Sequence, residues 1–133
     1  MAFTGEVYYG WRVASHIEGR RTRDGTGRWV DEVVIELVKD DRNIHATGQD
    51  GIDPEIVLLR ALGYGLRDDL REATERGDID IAMQIEATLA AHDARTEVKL
   101  NGYVTQRALV RIAKAAALKA STIQAGARDG SHQ

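Results

Sequence analysis

The chain has 133 residues, of which 43 % are hydrophobic and 29 % charged, with a formal net charge of −3 and no cysteine. That composition fits one folded domain with a core of its own, and it excludes a disordered chain, a disulfide framework, a thiolate metal site and a cysteine nucleophile. No apolar run approaches the roughly 18–20 residues of a membrane span, and no charged start with an apolar run marks a signal peptide, so a soluble cytoplasmic protein is expected.

From Glu6 to Glu18 the pattern has period two. Val7, Tyr9, Trp11, Val13, Ser15 and Ile17 alternate with Tyr8, Gly10, Arg12, Ala14 and His16. This predicts one long antiparallel strand with a single buried face. Gly19–Gly27 then reads as a loop, with an Asp24-Gly25 turn signal and further glycines. Trp29–Val38 is dense in Val and Ile and reads as the return strand of a hairpin, although Val30, Val33, Val34, Leu37 and Val38 also fit a helical stripe. Trp11 and Trp29 are expected to pack near each other across that hairpin. Asp40–Asn43 is a turn by composition, and Ile44–Gly48 a short third strand.

Asp53-Pro54-Glu55 is the clearest helix start in the chain. Asp53 suits the N-cap, Pro54 the first helical position, and Glu55 the positive end of the helix dipole. Over residues 53–76, Leu58, Leu62, Leu66 and Ala73 share a face, while Gly63 and Gly65 mark either a close approach or a kink. Gly77 closes that helix and Asp78 or Asp80 caps the next, in which Ile81, Ile85, Leu89 and His92 recur at helical spacing. Asn101-Gly102 breaks the chain, and Thr105 caps an alanine-rich helix from Gln106 to about Gln124. The expected fold is α+β: a three-stranded antiparallel sheet followed by three helices. The helix over 53–76 covers the sheet, the last helix packs on the second or on another subunit, residues 1–125 form one domain, and 126–133 form a flexible tail.

Charge is unevenly spread. Residues 1–30 carry five Arg against three acids, residues 31–97 seven Lys or Arg against seventeen acids, and residues 98–133 six against one. An acidic waist between basic ends suits nucleic-acid contact, or self-association of the ends onto the waist.

No arrangement for catalysis emerges. His16, His45, His92 and His132 are not spaced as metal ligands, Asp50 and Asp53 read as turn and cap, and Ser15 and His16 point to opposite faces of a strand. Asp68, Asp69, Glu72 and Glu75 interleave with Arg67, Arg71 and Arg76 as a solvated, ion-paired helix face. The protein is therefore expected not to be an enzyme and to need no cofactor or metal.

The basic ends carry the functional expectation. Ile112-Ala113, Ala117-Leu118 and Thr122-Ile123 follow the spacing of a helix-turn-helix, with Arg107, Arg111, Lys114 and Lys119 around it. A single basic amphipathic helix accounts for the same residues. Arg20, Arg21, Arg23 and Arg28 form a second basic cluster at the hairpin loop, suited to phosphate or groove contact. The expected function is a non-catalytic bacterial or phage-like protein, a small homo-oligomer that contacts DNA through these residues. The alternative is a structural or assembly protein, such as a virion component or adaptor, acting through protein–protein contacts.

Overall fold

The computed structural model describes residues 3–130. Four strands, β1 (Val7–Tyr8), β2 (Trp11–Arg23), β3 (Trp29–Lys39) and β4 (Arg42–Gln49), precede three helices, α1 (Pro54–Glu75), α2 (Ile79–Asn101) and α3 (Gln106–Gly130). The strands form one antiparallel meander in the order β1-β2-β3-β4. The expected α+β order holds, with four strands in place of three. The chain divides into two compact units, Met1–Gly65 and Leu66–Gln133.

The extra strand arises where alternation hides a turn. Tyr9 and Gly10 have φ of 54° and 82°, and Tyr8 pairs with Trp11. Two consecutive positive-φ residues in a two-residue loop match the twist of a hairpin, and Gly10 takes that conformation without strain. The predicted single strand is thus a short β1 folded back on β2.

β2 contains two irregularities, between Val13 and Ser15 and between Ile17 and Arg20, each placing one extra residue opposite β3. One inserted residue reverses which side chains face the core. After the first, His16 turns inward, paired with Ile35 and 2 % exposed, while Ile17 turns outward. This corrects the expectation that Ile17 is buried and His16 is not. His16 stacks on Phe3 with ring centroids 5.1 Å apart, and its Nε2 lies 2.9 Å from Glu18 Oε1 without the alignment of a hydrogen bond.

The first unit's core joins Trp11, Val13, Val33, Ile35, Leu37 and Ala46 of the sheet to Val57, Leu58, Ala61 and Leu62 of α1. Asp53 begins α1 as expected, its carboxylate accepting from the Glu55 amide at 2.9 Å. Gly65 lies against Trp11: a Cβ there would stand 2.8 Å from Nε1 of an indole that is fully buried. Alanine would gain about 1 kcal/mol of helix propensity but lose about 1–3 kcal/mol to overpacking. Gly65→Ala is therefore expected to lower the urea midpoint, and an unchanged or raised midpoint would show that the ring can move.

In the second unit the buried apolar residues are mostly alanines. Leu66, Ala73, Ala90, Ala94 and Ala108 are buried, with His92 at 1 % exposure among the polar residues. Asp78 caps α2, Gly102 ends it with φ of 76°, and Thr105 Oγ1 accepts from the Ala108 amide at 3.0 Å to start α3. The expected α2–α3 packing is present. Arg71–Glu75, Arg71–Asp68 and Arg76–Glu72 form the ion-paired face that the α1 sequence implies, whereas Asp69, expected on that solvated face, is buried and Arg67 pairs with Asp93 of α2.

α3 is continuous from Gln106 to Gly130, so of the two readings of this stretch the single basic helix is found and the helix-turn-helix is not. Ala117 is followed by Leu118, Lys119 and Ala120, all strong helix formers, and nothing there favours a turn. The helix also runs into the segment expected as a tail, whose last residues, 131–133, lie outside those described.

Candidate nucleic-acid interface

The hairpin of β2 and β3 is longer and better ordered at its tip than a loop over Gly19–Gly27 implies. Pairing continues through Arg20↔Glu32, Arg21↔Asp31, Thr22↔Val30 and Arg23↔Trp29, leaving only residues 24–28 as the connection. Arg20, Arg21 and Arg23 therefore stand on a strand, with alternate side chains on opposite faces.

Asp24 organises the tip. Its carboxylate accepts from the Thr26 hydroxyl at 2.6 Å, the Thr26 amide at 2.8 Å and the Arg28 amide at 3.0 Å. Arg23 donates to the Gly27 carbonyl at 2.8 Å. These hydrogen bonds, the Thr26 hydroxyl's first, hold the Asp24 carboxyl below its ordinary 3.8, at about 2. A depressed acid contributes its stabilisation above the unfolded-state value and loses it as pH falls through the folded one. The Thr26 and Arg28 amide resonances of the folded protein are therefore expected to hold steady through the ordinary carboxylate range and to move with a midpoint of about 2. A midpoint at the ordinary 3.8 would contradict this tip geometry.

Trp29 is the feature that the sequence reading missed. It is 52 % exposed, at the opposite end of the hairpin from buried Trp11, so the expected packing of the two indoles is not found. The Arg23 guanidinium lies 4.4 Å from the Trp29 ring centroid and that of Arg21 5.7 Å away. A two-residue turn at Asp24-Gly25 would set position 23 against Thr26; the five-residue connection over 24–28 sets it against Trp29 instead.

The other expected contacts fare unevenly. Arg20 is exposed on the opposite face, in register with Glu32. Arg28 bridges the Asp24 carboxylate at 3.5 Å and that of Asp50 at 2.5 Å, and Arg21 lies 3.7 Å from Asp31. Across residues 19–31 four Arg face two Asp, a local charge of +2. On α3, Arg111 pairs with Glu97 at 2.5 Å and Lys114 with Glu86 at 3.4 Å, both acids on α2, whereas Arg107 and Lys119 are exposed. Part of the expected helical basic patch is thus matched by acids within its own unit.

α3 also exposes an uncharged stripe. Leu109, Val110 and Ile112 are each about half exposed, with Ala113, Ala116, Ala117 and Ala120 exposed along the same broad side. Among the described residues no cluster of three or more His, Asp or Glu could hold a metal ion, and no helix is long and apolar enough to cross a membrane. No protein family, curated protein or solved structure matches the chain.

Proposed function

We propose that this is a non-catalytic binding protein, a small homo-oligomer that contacts single-stranded nucleic acid, DNA in the first instance, through the β2–β3 hairpin. The observation that carries the reading is the half-exposed Trp29 ring with the Arg21 and Arg23 guanidinium groups beside it. An aromatic face accepts a base of any sequence, and adjacent cations meet the phosphates on either side. The other face of the hairpin offers Arg20, and its tip Arg28, to the backbone. Arg107, Arg111, Lys114 and Lys119 of α3 are proposed as a secondary phosphate surface, with Arg107 and Lys119 its leading members.

The direct test is titration of the protein with a random single-stranded oligonucleotide and with a duplex of equal length, followed by tryptophan emission. Trp11 is buried, so a quench on binding reports Trp29. Quenching by the single strand, with affinity falling steeply as salt rises, supports the reading. Absence of binding at low salt overturns it. The exposed stripe on α3 favours a second reading, an assembly protein that works through apolar protein contacts. A salt-resistant oligomer that ignores both oligonucleotides would favour that one.

A further inference from the structure

β4 closes the meander, and its outer edge is built without the usual protections. Natural edge strands are kept from pairing by lysine, proline, bulges or short length. β4 has eight residues, contains no lysine, and lies outside the reach of the chain's single proline, Pro54. Its register with β3 is unbroken from Lys39↔Arg42 to Glu32↔Gln49. β2, by contrast, is irregular twice. Among the described elements only β3 runs alongside β4.

We propose that β4 pairs antiparallel with β4 of a second copy across a two-fold axis at Ala46, joining two meanders into one eight-stranded sheet. This rests on the self-association within the proposed function, and not on the nucleic-acid contact. A two-fold interface requires a strand that complements its own reverse. In this register Arg42 of each copy meets the end where the second copy's Gln49 leads into Asp50, so opposite charges fall together at both ends. Between them the strand is uncharged apart from titratable His45: Asn43 lies across from Gln49, Ile44 from Gly48, and His45 from Thr47. No like charges oppose each other, and an alternative axis at His45 would set the two histidines face to face. Parity is also kept. Ala46 and Gly48, which face the α1 side, stay on that side in both copies, while exposed His45 and Thr47 stay on the other.

Exposed His45 and Thr47 allow a test that leaves the core untouched. The mass of the full chain is measured by light scattering at micromolar concentration, and nucleic-acid binding is followed on the same samples. The wild type is expected at twice the chain mass. His45→Lys with Thr47→Lys sets lysine against lysine across the axis, and like charges directly opposite destabilise a sheet. That variant is expected to run as a folded monomer, its thermal transition independent of protein concentration whereas that of the dimeric wild type rises with it. His45→Lys with Thr47→Glu sets opposite charges across the same axis and is expected to remain a dimer. A monomeric wild type overturns the inference whatever happens with nucleic acid. A dimer that survives the two lysines removes β4 as the interface while leaving self-association in place. A monomeric Lys/Glu variant overturns the register. A dimer that behaves as expected yet binds no oligonucleotide leaves this inference standing and sinks the hairpin reading alone.

Discussion

Replacing Trp11 with alanine is expected to lower the stability of the sheet unit by about 3–5 kcal/mol, the range for removing a large buried aromatic. Trp11 is fully buried, and it lies where β2 meets α1. Its ring touches the one glycine of α1 that leaves room for it, Gly65. The Arg42 guanidinium and the Lys39 ammonium stand 5.1 and 5.8 Å from the ring centroid. Alanine would leave a cavity that the rigid sheet cannot close, and those cations would lose their aromatic surface. The measurement is urea denaturation followed by far-ultraviolet circular dichroism, comparing Trp11→Ala with Trp11→Phe. Phenylalanine should recover part of the loss. A loss below about 1 kcal/mol for alanine would mean that the indole does not hold the sheet to α1.

The second large effect falls on binding and leaves stability alone. Trp29→Ala is expected to weaken the affinity for a single-stranded oligonucleotide by about fivefold to 150-fold, corresponding to about 1–3 kcal/mol for one stacked base. Trp29→Phe keeps a stacking face and should lose much less. Arg21→Ala and Arg23→Ala act differently: each removed phosphate contact should flatten the salt dependence by about 0.7 in the logarithmic slope for a single strand. Trp29 is half exposed, so its replacement should leave the unfolding curve in place. Unaltered affinity in Trp29→Ala would leave the indole as a platform for the two arginines only, with no part in recognition.

What the sequence disclosed was chiefly local chemistry. Asp53-Pro54, Asp78, Gly102 and Thr105 mark helix ends because a cap is a relation between neighbouring residues, and each is found where expected. Leu58, Leu62, Leu66 and Ala73 are all buried because a helix repeats its face without error along a regular stretch. The strands were less transparent. Tyr9 is a poor advertisement for a turn, and the alternation of Val7, Tyr9, Trp11 and Val13 runs through the reversal undisturbed. Nothing at Ala14 or Glu18 announces an extra residue, because a bulge is decided by the strand alongside it. The candidate site suffered from the same gap. The arginines were visible as charges, but assigning them to a loop hid their partner Trp29, which becomes a neighbour only when the ladder is carried to Asp24. On α3 the basic residues were legible and their acids were not, because Glu86 and Glu97 belong to another helix.

The two irregularities of β2 behave as a pair of phase errors that cancel. The first exchanges inward and outward positions, so that His16 takes the place Ser15 or Ile17 would have had. The second exchanges them again, returning Arg21 and Arg23 to the parity of Trp11 and Val13. Taking out the extra residue at either irregularity would straighten β2 and leave the flanking pairs with their partners, so Arg23 would stay opposite Trp29. The irregularities are thus the joints at which β2 tolerates the loss of a residue without moving the hairpin's chemistry.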